Sequence, residues 1–262
     1  VPLVLNTRHA ASESAKDGAP LEFSAGLVNV TMRLLATGED IGESLRDACD
    51  IISAMLPGRP AASVLIAMDG AAAAGATIGA QALVRAEVRL RSGPSLQALA
   101  RKQSISVPDL TDEIRWGGYP ALALRGGIRS LAAEPVVTAA GSIGALCLYS
   151  SRPHDFGPSI GQAVSLLGAH LGVVLPVRLE ALHAIALADQ LRQSLKTRGV
   201  IDRALGILMA DNRYDREQAF AILRAASQHR NMKLAAVAAE LIRTTTGTII
   251  PRLGMDAEPS SE

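Results

Sequence analysis

The chain has 262 residues, 48% of them hydrophobic and only 3% aromatic, with a formal net charge of +1. That apolar fraction excludes wholesale disorder, and the length allows one or two domains. With so few rings, the core must be built from Ala, Leu, Val and Ile, a composition that leans toward helix.

Residues 1–23 read as a flexible leader. They lack the basic start and long apolar stretch of a signal peptide. Residues 24–56 read as helical; in the second half Ile41, Leu45, Cys49, Ile52 and Leu56 recur at helical spacing until Pro57-Gly58 stops the pattern. Ala61 to Met68 is a compact apolar run ending at Asp69-Gly70, as expected of a buried strand and turn. Residues 71–80 are dominated by Gly and Ala and carry little information. Ala82 to Leu90 fits helix or strand, since its periodicity does not decide. Beyond Gly93-Pro94, Ser95 opens a short helix to about Lys102, and Ser104 to Val107 reads as a short strand. Leu131 to Thr138 and Ser142 to Ser150 form two further strands, joined by the hairpin-length link Ala139-Ala140-Gly141. Ile160, Val164, Leu167, Leu171 and Val174 mark a helix to Leu175.

Pro176 is expected to join that helix to a separate one from Val177 to Leu195. Leu179, Leu182, Leu187, Leu191 and Leu195 keep no clean heptad, so residues 176–195 read as a helical linker rather than a long coiled coil. Three short helices follow. Ile201, Leu205 and Leu208 mark the apolar side of the first, which runs into Asn212. The second starts at Asp215, with Gln218 at capping-box spacing, and buries Ala219, Ile222, Leu223 and Ala226. The third carries Leu234, Val237, Ala238, Leu241 and Ile242 as a one-sided stripe. Three inward stripes make a small bundle over 196–246, followed by a flexible tail over 247–262.

Charge is unevenly spread. Residues 1–175 are net −1, residues 196–243 are net +4, and the tail after them is net −2. A basic module beside a near-neutral domain suits a polyanion, although an ordinary solvated helix face gives the same count. Cys49 and Cys147 sit in apolar patterns without metal-ligand spacing, as buried free thiols of a reducing compartment do. The five histidines form no metal pair, and a lone one such as His170 is an ordinary polar or core residue before it is a haem ligand. No nucleophile elbow, P-loop or dinucleotide fingerprint occurs, so no enzymatic activity is expected. No continuous apolar run of membrane-spanning length is expected either, and hence no membrane partner.

Two resemblances organise these readings. Arg198, Val200, Ile201, Ala204, the run Gly206-Ile207-Leu208-Met209, Ala219-Phe220, Leu223-Arg224, Ala226-Ser227, Arg230-Asn231, Leu234 and Val237-Ala238 together resemble the ANTAR domain, a three-helix RNA-binding module of bacterial antitermination regulators. Ser92-Gly93-Pro94-Ser95, Val107-Pro108-Asp109-Leu110, Glu113-Ile114-Arg115-Trp116, Gly127-Ile128-Arg129-Ser130, Glu134-Pro135-Val136 and Ile143-Gly144-Ala145-Leu146 resemble, more loosely, a GAF domain over residues 24–175. The combination is similar to GAF and ANTAR antitermination regulators of actinobacterial type. It implies an α+β fold, with a GAF-like antiparallel sheet and flanking helices, a helical linker and a C-terminal three-helix bundle. Many GAF domains of this context carry Cys after Gly-Pro, where this chain has Ser95, which removes thiol chemistry there. The ANTAR family often has Lys where this chain has Leu205. The acidic pair of a phospho-acceptor receiver domain is missing near the start.

The resemblance implies a cytoplasmic, signal-responsive regulator that binds RNA hairpins in nascent transcripts and controls termination. The alternative is a one-component DNA-binding regulator. The side chains left outside the stripes are Arg198, Arg203, Arg213, Arg216, Arg224, Arg230, Asn231 and Lys233, and of these the RNA candidates are Arg198, Arg203, Arg224, Arg230, Asn231 and Lys233. Arginine pairs with phosphate or stacks on a splayed base, and Asn offers both a donor and an acceptor. Each also has a structural reading, such as Arg224 pairing with Glu217, or Arg230 and Lys233 stabilising helix ends. Tyr214, in the turn before the second helix, is read as packing. A GAF domain implies a small-molecule pocket with an unnamed ligand. Trp116, Tyr119 and Arg129 are its candidate walls, and a core aromatic beside a surface turn is the plainer reading. The apolar linker and the GAF resemblance predict a homodimer.

Overall fold

The computed structural model describes residues 7–36, 40–68 and 71–246. The expected tail over 247–262 lies outside the described residues. The chain divides into two compact units, Val1–Ala181 and Leu182–Glu262.

The first unit opens with α1 (Thr7–Leu35) and α2 (Ile41–Met55). Residues 7–23, expected as leader, have helical backbone and form the first turns of α1. Ala10, Ala11, Glu13, Ala15 and Lys16 are strong helix formers without an apolar stripe, so propensity was present where periodicity was not. The Asp40 carboxylate accepts from the Gly42 amide at 3.0 Å and caps α2. Five antiparallel strands follow: β1 (Ala61–Met68), β2 (Ala71–Ala76), β3 (Ile105–Val107), β4 (Ser130–Thr138) and β5 (Gly141–Ser150), in spatial order β2-β1-β5-β4-β3. Between them lie α3 (Gln81–Leu90), α4 (Pro94–Arg101) and α5 (Tyr119–Arg125). The ambiguous run from Ala82 is thus helical.

The sheet is covered on both faces, and the two-residue period of its strands sorts side chains between two cores. Ala62, Val64, Ile66, Leu146 and Leu148 face one core with Val30 and Leu34 of α1 and Leu45, Cys49 and Ile52 of α2. Leu65, Ala145, Cys147 and Tyr149 face the other with α3, α4 and α5. Because both faces are buried, β1 and β5 read as largely apolar runs rather than alternating ones.

A single helix, α6 (Pro158–Asn212), runs from the first unit into the second. Val164, Leu167, Leu171, Val174 and Leu175 bury its first part in the core shared with α1 and α2. The His170 ring nitrogen Nε2 lies 2.8 Å from Thr31 Oγ1 on α1, so this histidine is an inter-helix tie. Gly172 lies flush on β4: a Cβ there would sit 2.2 Å from the Val137 carbonyl oxygen. Two expectations change at this helix. Pro176 does not separate two helices; it lies inside α6. Proline lacks the amide that would bond the Gly172 carbonyl four residues back, a loss a well-packed helix tolerates. A stretch of α6 is also long and apolar enough to cross a membrane. The sequence shows no continuous apolar run there because Gly161, Gln162, Ser165, Gly168, His170 and Gly172 interrupt it. Within the described part of the first unit its apolar residues at 164, 167, 171, 174 and 175 are buried.

In the second unit, the last turns of α6 pack with α7 (Arg216–His229) and α8 (Leu234–Thr246) around Ala204, Leu205, Ala219, Leu223, Val237, Ala238 and Ile242. The Asp215 capping box forms as its spacing predicts. Its carboxylate accepts from the Gln218 amide at 2.8 Å, and the Gln218 side chain accepts from the Asp215 amide at 3.1 Å. Tyr214 packs against this core. Ile222 does not belong to the buried stripe and is exposed. Helix α7 buries positions 219 and 223 and half-buries 226, and Ile222 falls at the stripe's edge.

Candidate nucleic-acid interface

The C-terminal part of α6 and the outer face of α7 enclose an open groove of about 1150 Å³. Gln193, Thr197, Arg198 and Asp202 line it from α6, and Arg216, Phe220, Arg224 and Gln228 from α7, over a floor that includes Ile201 and Leu205. The α7 residues stand four apart, one above another on a single helix face. Asp202 is the hinge of the charge pattern: it bonds Arg216 across the groove at 2.7 Å and lies 3.8 Å from Arg198 on its own helix. Arg224 makes no hydrogen bond or ion pair among the described residues, so the expected alternative partner Glu217 does not hold it. Phe220 leaves 41% of its surface to solvent.

The six RNA candidates fall on three surfaces. Arg198 and Arg224 face each other across the groove. Arg203 is exposed on another aspect of α6, roughly 140° round from Arg198 at 3.6 residues per turn. Arg230, Asn231 and Lys233 cluster at the turn between α7 and α8. There Arg230 bonds Glu240 of α8 at 2.6 Å. Asn231 has φ +49 and terminates α7. Its amide donates to the Gln228 carbonyl at 3.2 Å and the Met232 amide to the Ser227 carbonyl at 3.1 Å, which is the Schellman pattern. Asn231 therefore has a structural duty that the sequence reading did not assign. The Lys233 carbonyl accepts from Ala236 and Val237 at the start of α8, while its amine stays without a partner among the described residues. Arg216 is one of the arginines that the sequence leaves outside the stripes; Phe220 is given no interface role there, although the four-residue spacing of Arg216, Phe220, Arg224 and Gln228 carries the signal. Leu205 is only 2% exposed, so the position where the family often has Lys is a packed one here.

In the first unit, Trp116 and Tyr119 come together and Arg129 does not join them. Trp116 adopts φ +65 in the tight turn before α5, its indole N–H donates to the Gln97 side-chain oxygen at 2.5 Å, and its ring meets Tyr119 edge-on at 6.0 Å. The Arg115 guanidinium covers Trp116 at 4.7 Å. Tyr119 is wholly buried, its hydroxyl beside Glu87 and Tyr149 without a hydrogen bond of normal geometry. Arg129 is paired with Asp109 at 2.6 Å, and that bond holds the Asp109 carboxyl well below the usual range.

Beneath Tyr119 lies a buried polar cluster. Glu87 of α3 accepts from the Ser95 amide and the Ser95 hydroxyl, each at 3.0 Å, and from the Leu96 amide at 3.3 Å. The Tyr149 hydroxyl lies 3.5 Å from Glu87 and 3.1 Å from Ser63 Oγ. Burial pushes Glu87 up to about 7, against these stabilising hydrogen bonds. Burial likewise raises the Cys49 and Cys147 thiols well above their ordinary range, so neither is a ready nucleophile. Ser95, where the GAF resemblance would place Cys, ties α4 to Glu87. Among the described residues no group of three metal-ligating side chains assembles.

Comparison with known proteins follows this division. A GAF domain family model matches residues 38–175 and an ANTAR domain model matches residues 189–242. No curated relative matches the chain. Similar solved structures include the A. aeolicus nlh2 GAF domain in an inactive state, at 13% identity and TM-score 0.46, covering 61% of this chain and 99% of that one. A putative GAF sensor protein from Burkholderia vietnamiensis matches at 12% identity and TM-score 0.44, over 61% and 97% of the two chains. Free methionine-R-sulfoxide reductase from Neisseria meningitidis, in complex with its substrate, matches at 15% identity and TM-score 0.43, over 63% and 93%. GAF is a ligand-sensing domain and ANTAR an RNA-binding antitermination domain. The chain belongs to the GAF family and carries an ANTAR domain in its C-terminal unit.

Proposed function

We propose that this protein binds RNA hairpins in nascent transcripts and thereby controls transcription termination in response to a signal received by its GAF unit. The ANTAR match over 189–242 carries the reading. It is supported by the net +4 of residues 196–243 and by Arg203, Arg224 and Lys233, whose cations have no protein partner among the described residues. Unpaired guanidinium and ammonium groups on a rigid bundle suit phosphates and the unstacked bases of a hairpin loop. The protein acts by binding rather than by chemistry, in the cytoplasm, as a homodimer joined through the exposed apolar side chains of α6. In the GAF unit, Trp116 and Tyr119 border the site of a small-molecule ligand in this reading.

Hairpin RNA and duplex DNA of equal length, titrated at several salt concentrations, test the reading. Tight hairpin binding with weak duplex binding is expected, together with a shift in read-through at a terminator preceded by that hairpin. Equal or tighter binding of duplex DNA would replace it with a DNA-binding regulator.

A further inference from the structure

We infer that the groove between α6 and α7 receives a single unstacked base of the RNA, with the Phe220 ring as the stacking surface and Arg224 as the contact to the adjoining phosphate. The inference rests on the RNA reading above and adds where the loop is held.

The first observation is Phe220 itself. The aliphatic core residues at Ala219 and Leu223 bury fully beside it, yet the ring stays 41% exposed. A partly exposed phenyl ring in a charged groove is a surface on which any base can stack. The second is the order of side chains on α7. Arg216, Phe220 and Arg224 rise one turn apart on one face, so a cation flanks the ring on each side. Only one of these is free: Arg216 is held by Asp202, while Arg224 has no partner among the described residues. A free guanidinium one turn from an aromatic ring matches a phosphate next to a stacked base.

The acids decide between a base and a duplex backbone. Asp202 and Glu217 line the same groove as the three arginines. Two carboxylates repel a closely packed phosphate array but accept from exocyclic amino groups, as Asp and Glu do from base edges. Among the described residues the groove therefore offers a shelf, one free cation and two carboxylates, of which Asp202 is held by Arg216, and this is a set for one nucleotide of a loop. A docking protein helix would want a broader apolar floor than Ile201, Leu205 and Phe220 provide.

The test uses the full chain and the tightest-binding hairpin from an RNA pool with randomised loops, resynthesised with 2-aminopurine at each loop position in turn. Fluorescence should be quenched on binding at one loop position. Phe220→Ala and Phe220→Leu should each bind the hairpin roughly tenfold or more weakly and lose that quench, with melting curves retained. Phe220→Tyr should keep both. Phe220→Leu separates stacking from mere apolar packing, and the wild-type quench stands independently of any variant. Unchanged affinity of the Ala and Leu variants without a quench in the wild type would overturn the groove and leave hairpin binding standing. A wild-type chain that binds no hairpin of the pool would overturn the RNA reading as well. Variants that bind RNA normally but dissociate into monomers would assign the groove to a second copy of the chain and overturn the proposal.

Discussion

The Glu87 carboxylate reaches across from α3 to take both the backbone amide and the hydroxyl of Ser95, each at 3.0 Å. One buried acid thus closes the N-terminus of α4 and fixes its distance from α3. Folding raises this carboxyl from an ordinary 4.5 to about 7, so the folded chain binds the proton more tightly than the unfolded chain. The stability this contributes is complete below the unfolded value and is lost as pH rises through about 7. Melting temperature should therefore fall between about pH 5 and pH 8. Glu87→Gln, which retains an acceptor for the two amides, should flatten that slope. An identical pH profile in the variant would show that another group governs it.

Leu205→Lys tests the packed position in the RNA-binding unit. An ammonium there must desolvate or force its way toward the groove. The variant should lose roughly 2 kcal/mol or more of stability and bind RNA more weakly. Tighter binding with an unchanged melting curve would show that a cation at this position reaches RNA without disturbing the core.

Arg224 and Arg230 have different surroundings, and their variants should separate. Arg224→Ala removes an unpaired cation, so it should weaken hairpin binding and reduce the salt slope by about one. Arg230→Ala breaks the exposed pair with Glu240, which contributes up to about 1 kcal/mol, and should affect stability more than affinity. Titration at matched salt alongside thermal melts reads both. Equal affinity losses would mean that Arg230 leaves Glu240 on binding.

Leu187 and Leu191 are each 57% exposed on α6. Sedimentation at micromolar concentration should show a dimer for the unmodified chain and a monomer for the Leu187→Glu, Leu191→Glu double variant. A wild-type monomer would remove the homodimer from the proposal.

Most of the architecture was legible where a period or a cap was strong. The stripe at Leu234, Val237, Ala238, Leu241 and Ile242, the Asp215–Gln218 box and the β4–β5 hairpin all stand as their patterns require. Strand β2 was silent because AAAAGA has almost no strand propensity; it forms because Ser63 to Met68 of β1 pairs with it and Gly75 lets α2 approach. Helix α5 was silent because its seven residues are too short to show a period. In the candidate interface, residue type pointed to the arginines, but only packing told them apart. Asp202 and Glu240 occupy some and leave Arg224 free, and ion pairing across helices leaves no mark on a linear sequence. Asn231 shows the converse: its helix-ending role is readable from an Asn after the last helical turn, whereas its side-chain amide on its own suggests a base contact.

The Gly172–Pro176 stretch of α6 has a mechanical consequence. Gly172 rests on the Val137 carbonyl without a side chain between them, so turning the helix about its own axis would drive a bulkier neighbour into β4. The missing proline amide leaves one rung out of the hydrogen-bond ladder immediately after that contact. A rod seated flush at one point and lacking a rung just beyond it resists twisting there and yields most easily to bending.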